Sequence, residues 1–191
     1  MQHPSQHFFG YGSLVNVSTH HTPWSTQATT LKGWRRAWSN RTSVASLGTV
    51  VSLTAYPCQG CQIDGLLAVV PSQADWDVLA VREAGYDRIQ LQADVFTPNA
   101  SSNGDYYVYQ TQPQNRGAAV DGHVILQSYI DAVLQGYLHV FGENGVQRFI
   151  DTTDGWDGEI HNDRDKPKYP RSVILTDDER KFIDEVLEPY R

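Results

Sequence analysis

His7-Phe8-Phe9-Gly10-Tyr11-Gly12-Ser13-Leu14 is a short aromatic strand that runs directly into a glycine turn near the N-terminus. Neither glycine carries a Cβ, so the backbone can turn sharply there and other groups can approach its N–H groups closely. Consecutive exposed N–H groups form a concavity suited to a carboxylate or an oxyanion. The same residues also fit an ordinary hairpin turn whose glycines only relieve steric strain. The meaning of the turn is therefore set by what the rest of the chain brings to it.

Composition narrows the classes. At 191 residues the chain is one domain, or one domain with a tail, and is long enough to bury a substantial core. An apolar fraction of 40% with five Trp marks a folded globular protein. The net charge is −7 and the longest basic run is Arg35-Arg36, which argues against nucleic acid or an anionic membrane as the main partner. Met1-Gln2-His3-Pro4 does not read as the start of a signal peptide. No apolar run approaches the ~20 residues of a spanning helix. A cytoplasmic, soluble protein is expected, and nothing in the sequence sets its oligomeric state.

Cys58 and Cys61 are the only cysteines. A structural zinc takes four protein ligands, and no second pair exists. A thioredoxin-type pair opens a helix, whereas this one lies between strand-like segments. They read as two thiols in a loop, free or linked under oxidation. The histidines are scattered, and the adjacent pair His20-His21 makes a poor metal site, so no metal is expected.

Along the chain, residues 7–11 read as a strand that is apolar on both faces and therefore central. The polar stretch 16–26 reads as a loop. Residues 29–39 form a second strand with Trp34, Arg36 and Trp38 on one face and Lys32 in line with them. Residues 50–56 and 62–70 are two further strands, joined as a hairpin by the cysteine-containing turn. Residues 86–96 and 105–111 are strands, and 112–122 is a loop. A long amphipathic helix is expected over 123–141 and a shorter one over 145–150. Residues 151–171 are irregular; their acidic residues Asp151, Asp154, Asp157 and Glu159 miss the spacing of a calcium loop. Thr176 with Glu179 is a capping box that opens a C-terminal helix.

The most informative local feature follows the fourth strand. Ser72 and Asp75 cap a helix that Gly85 ends. Trp76, Leu79 and Ala80 fall on one face of it, and the next position on that stripe is Glu83. Glutamate is seldom buried without a partner. Glu83 is therefore either a solvated end-of-helix residue paired with Arg82 or Arg88, or a carboxylate held in a pocket.

Six strands with one inserted helix, followed by helices, make an α+β pattern rather than alternating βαβ. A dinucleotide fingerprint fails because Val15 occupies the third glycine position and no helix follows. Ser13 is not in a G-x-S-x-G elbow, so a serine hydrolase has no support.

Phe9-Gly10-Tyr11-Gly12-Ser13-Leu14, followed about seventy residues later by Arg82-Glu83-Ala84-Gly85-Tyr86-Asp87-Arg88, resembles the gamma-glutamylcyclotransferase-like family, whose marks are a Y-G-S-L turn and a helix-ending Glu before Gly-Tyr. The resemblance covers roughly residues 7–111. It implies a small mixed β-barrel of about six strands flanked by helices, with a cavity at one end. The expected division is a barrel domain with its packing helix over 1–141 and a C-terminal extension over 142–191, packed on the same domain.

The resemblance also implies a chemistry and a set of roles. The backbone of Tyr11, Gly12, Ser13 and Leu14 would hold a γ-glutamyl group, and Glu83 would be the general base and acid. The substrate's α-amino nitrogen attacks its own γ-carbonyl, releasing 5-oxoproline and an amino acid, peptide or amine, with no cofactor. One or more of Tyr106, Tyr107 and Tyr109 should face the cavity, Tyr107 being the candidate, because strand side chains alternate. Arg88 or Arg41 is the candidate for pairing the substrate α-carboxylate. The competing readings are a non-catalytic binding protein on the same barrel and a γ-glutamyl amide hydrolase that uses water in place of the amine.

Overall fold

The computed structural model describes residues 5–21, 23–44, 47–117 and 124–191. Residues 1–4, read above for a signal peptide, the 118–122 part of the expected loop and residue 123 at the expected helix start lie outside the described residues. In chain order the strands are β1 (Ser5–Gly10), β2 (Thr26–Val44), β3 (Gly48–Val70), β4 (Tyr86–Leu91), β5 (Phe96–Thr97), β6 (Gly104–Thr111), β7 (Val124–Leu126), β8 (Thr153–Asp154) and β9 (Glu159–His161). The helices are α1 (Gln73–Arg82), α2 (Gln127–Asp151) and α3 (Asp177–Leu187). The architecture is the expected mixed α+β one. The pairing path runs β4-β6-β1-β3-β2-β5, and β7, β8 and β9 attach beside it.

β1 lies between an antiparallel neighbour, β3, and a parallel one, β6. Both of its faces are covered, which is why it reads as uninterrupted apolar sequence. Phe9 faces the main core with Leu31, Leu53 and Val108. Phe8 faces a second cluster beneath α1, with Trp76, Leu79 and Tyr109. Only Trp76 and Leu79 of the α1 stripe are buried, and Ala80 is exposed.

Two expectations for the long strands are corrected. Residues 50–56 and 62–70 are not a hairpin but parts of one strand, β3, which pairs with β2 from Val44↔Gly48 to Thr26↔Ala68. The register jumps between Lys32↔Gln62 and Trp34↔Pro57, so residues 58–61 bulge outward opposite Gly33. Cys58 and Cys61 are joined across that bulge. The same irregularity takes Lys32 out of line with Trp34, Arg36 and Trp38: Gly33 has a φ of 78°, which breaks the alternation. Lys32 is consequently exposed while the other three are buried.

The expected helix over 123–141 starts later. Val124, Ile125 and Leu126 form β7, which pairs with β3 and β9. A three-residue buried strand and the first turn of a buried helix share the same apolar run, so periodicity could not separate them. The expected short helix from residue 145 is the second half of α2, beyond a kink at Gly142. The capping box of Thr176 and Glu179 is present and opens α3.

Candidate functional site

The turn leaves β1 at Gly10 and closes as a single 3-10 turn over Ser13–Val15, with Val15 N–H donating to Gly12 O at 2.9 Å. The first N–H groups of such a turn have no partner within it. A Cβ on Gly10 would lie 2.8 Å from Leu14 Cβ and 3.1 Å from the Leu14 carbonyl carbon, so the chain folds back on itself only because residue 10 has none. Gly10→Ala is expected to lower stability by about 1–3 kcal/mol through this overpacking, read as a drop in the urea midpoint. Three buried groups hold the turn in place. Tyr11 Oη donates to Tyr109 O at 2.6 Å, Tyr137 Oη donates to Tyr11 O at 2.9 Å, and Asn16 Nδ2 donates to Ala132 O at 2.9 Å.

Glu83 is the residue that caps the C-terminus of α1; its N–H donates to Leu79 O and its carbonyl accepts from Tyr86 N–H, both at 2.9 Å. Its side chain is 13% exposed and lies 3.3 Å from Arg82 Nε. The carboxylate is thus both paired and pocketed. On one side is a narrow recess of about 30 Å³ lined by Phe9 through Leu14, Leu53, Tyr86, Tyr109 and Tyr129. On the other is an open cavity of about 410 Å³. Glu83, Ser13, Tyr86 and Tyr129 line both.

Burial pushes the Glu83 carboxyl above its ordinary value, and the charges of Arg82 and Arg171 pull it partly back. The surrounding phenols move the same way. Burial, with the Glu83 charge contributing, raises Tyr11, Tyr86 and Tyr129 well above their usual value and Tyr109 to about 12. The recess therefore surrounds one acidic side chain with hydroxyl groups that are neutral at physiological pH. Tyr86 Oη donates to Leu53 O at 2.7 Å and contacts Ser52 Oγ at 3.1 Å, which accepts from Asn40 Nδ2 at 2.8 Å.

Ser13 joins three distant parts of the chain. Its Oγ lies 3.1 Å from Arg82 Nη2 and 2.9 Å from Tyr169 Oη. Arg82 also donates to Thr19 O at 2.8 Å. Tyr169 belongs to the irregular segment after β9, which wraps onto the start of α2. There the buried Asp163 carboxylate accepts from Ser128 N–H at 2.8 Å, Ser128 Oγ at 2.6 Å and Lys168 N–H at 2.8 Å. This clamp places Lys168, Tyr169, Pro170 and Arg171 along the 410 Å³ cavity.

The structure brings Tyr11, Gly12, Ser13, Leu14 and Glu83 together at this recess. Tyr107 and Arg88 lie elsewhere. Arg88 is exposed on β4, with its guanidinium 4.7 Å from the ring centres of Trp76 and Tyr107. Tyr109, on the same sheet face as Tyr107 but two residues nearer the turn, lines the recess instead. Tyr106 faces the opposite side and packs against Phe96. Arg41 Nη2 donates to Arg116 O, away from the cavity. Sequence reasoning did not single out Tyr86, Tyr129, Tyr169, Arg171 or Lys168 for the site. Tyr86 had a signal, since it follows Glu83-Ala84-Gly85 directly.

No family model and no curated protein matches the sequence. Among solved structures, the chain is similar to one described as a gamma-glutamyl cyclotransferase, with a TM-score of 0.55 and 12% identity over 95% of this chain and 99% of that one. It is also similar to the uncharacterized human protein loc79017, with a TM-score of 0.58 and 11% identity over 95% and 99% of the two chains. YkqA from Bacillus subtilis aligns with a TM-score of 0.53 and 14% identity over 77% of this chain and 53% of that one. These likenesses place the chain in the gamma-glutamyl cyclotransferase fold. Among the described residues, no helix is long and apolar enough to cross a membrane.

Proposed function

We propose that the chain is a gamma-glutamyl cyclotransferase that releases 5-oxoproline from a γ-glutamyl amino acid, peptide or amine. The observation that carries this reading is a buried glutamate, raised above its ordinary pKa, at the junction of the glycine turn and an open cavity. The reaction needs one proton acceptor. A peptide α-amino group, with a pKa of about 8, is mostly protonated at neutral pH, and Glu83 removes its proton.

The freed nitrogen attacks the γ-carbonyl carbon, and a new C–N bond closes the five-membered ring. The carbonyl electrons move to oxygen, where N–H groups of the turn or the neutral phenol of Tyr129 stabilise the charge. Glu83 gives the first proton to the leaving nitrogen, and the oxygen's electrons return as that C–N bond breaks. The freed carboxylate then takes the second proton from the ring nitrogen, which becomes the neutral lactam N–H, and passes it to the released amine. Nucleophile and electrophile belong to one molecule, so the junction of the recess and the larger cavity mainly has to hold the folded conformer in which they meet. Arg82, tied to Ser13 and Thr19, holds the Glu83 carboxylate toward the turn.

The test is to incubate purified protein with γ-glutamyl-alanine in the absence of ATP and added metal. Release of 5-oxoproline and alanine is expected. Release of glutamate in place of 5-oxoproline would make the protein a hydrolase, and tight binding without turnover would make it a binding protein.

A further inference from the structure

The 410 Å³ cavity carries more positive charge than the single carboxylate of Glu83 balances. Its charged lining residues are Arg82, Glu83, Lys168 and Arg171, three cations against one carboxylate in a chain whose net charge is −7. Arg82 is committed to Glu83, Ser13 and Thr19. Among the described residues, neither Lys168 nor Arg171 has a carboxylate within ion-pair distance. Both are half-buried. They sit on the segment that the Asp163 clamp fixes in place, and the Arg171 guanidinium lies 5.9 Å from the Tyr169 ring centre. Lys168 and Arg171, the latter's charge also reaching Glu83 without being ion-paired to it, lie on an ordered wall of an apolar-sided cavity and make a site for an anion.

We propose that Lys168 and Arg171 bind a carboxylate on the leaving group, which makes the substrates γ-glutamyl amino acids or peptides and discriminates against γ-glutamylamines. This rests on the cyclotransferase reading. In that reading the glutamyl end meets the neutral, tyrosine-lined recess and the scissile amide lies at Glu83. The leaving group then extends outward into the larger cavity. A γ-glutamyl dipeptide carries two carboxylates and one ammonium group, so it is a net anion at neutral pH; a γ-glutamyl alkylamine carries one of each and is neutral. Val44, Val50 and Leu126 form an apolar wall of the same cavity, suited to the side chain of the departing residue. A guanidinium and an ammonium opposite a carboxylate make charge-assisted hydrogen bonds that an alkylamine cannot replace.

The experiment compares γ-glutamyl-alanine with γ-glutamyl-ethylamine, which differ only by the leaving-group carboxylate. Wild-type kcat/KM is expected to favour the alanine substrate by roughly 10- to 100-fold, the worth of one or two charge-assisted hydrogen bonds. In the double variant Lys168→Gln, Arg171→Gln the ratio is expected to collapse toward one, with the loss falling on the alanine substrate. An unaltered thermal unfolding curve would show that the wall is intact. Equal kcat/KM for the two substrates in wild type, or a preference that survives the double variant, would overturn the proposal while leaving cyclisation standing. No 5-oxoproline from either substrate would overturn both readings together.

Discussion

Glu83→Gln is expected to cut 5-oxoproline formation by about 10²- to 10⁴-fold while the chain stays folded. The amide keeps the shape and the contact with Arg82 but cannot accept the amine's proton. Two measurements separate loss of the base from loss of structure. In wild type, kcat/KM should rise with pH as Glu83 ionises, and the midpoint of that limb should lie above the ordinary glutamate range, because burial disfavours the charged form. The effect on stability has the opposite direction. A carboxyl whose folded pKa is raised holds its proton in the native state while the unfolded chain has already lost it. The wild type therefore loses stability as pH rises from the ordinary glutamate value through the raised one. Glu83→Gln removes that slope, so its melting temperature at neutral pH should equal or exceed that of wild type, and the gap should narrow on acidification. Full activity in Glu83→Gln would end the catalytic assignment.

Asp163→Ala is expected to lower stability by about 2–4 kcal/mol and to raise KM more than it lowers kcat. The carboxylate is buried and acts as a remote cap for α2: Leu126, the residue at the cap position, offers no side-chain acceptor, and Asp163 takes Ser128 N–H instead. Without it, Ser128 N–H is left unpaired in the interior and the half-buried Lys168 N–H loses its acceptor. The second consequence is for binding. The segment from Lys168 to Arg171 would lose its anchor, and with it the wall of the larger cavity and the Tyr169 contact to Ser13. Urea midpoints measure the first effect and steady-state kinetics the second. Asp163→Asn should recover part of both, since its Oδ1 still accepts from Ser128 N–H. A variant of Asp163→Ala with wild-type KM would show that the segment does not contribute to substrate binding.

Much of the frame was legible in the chain because it depends on local chemistry. The glycine turn after an apolar strand, the capping of α1 and α3, and the interior face of α2 each follow from short-range preferences. So does Glu83 at the end of an apolar stripe, since a helix places i, i+3, i+4 and i+7 on one face whatever surrounds it. The errors share another origin. Lys32 is exposed because a bulge at Gly33 shifts the alternation, and β3 is continuous because β2 pairs along both parts of it. Strand pairing between distant residues decides such points.

The sequence by itself determined the turn, the carboxylate and their order along the chain, because glycine's missing Cβ and the helical period act within a few residues. Only the tertiary structure decided what encloses them. Ser13 meets Arg82 across 69 residues and Tyr169 across 156, and Tyr109 rather than Tyr107 lines the recess because of how far β6 extends past β1. No spacing rule records such contacts. The Tyr169 contact exists because the buried carboxylate of Asp163 ties the start of α2 to a segment that has no regular pattern of its own, and that segment completes the cavity beside Glu83.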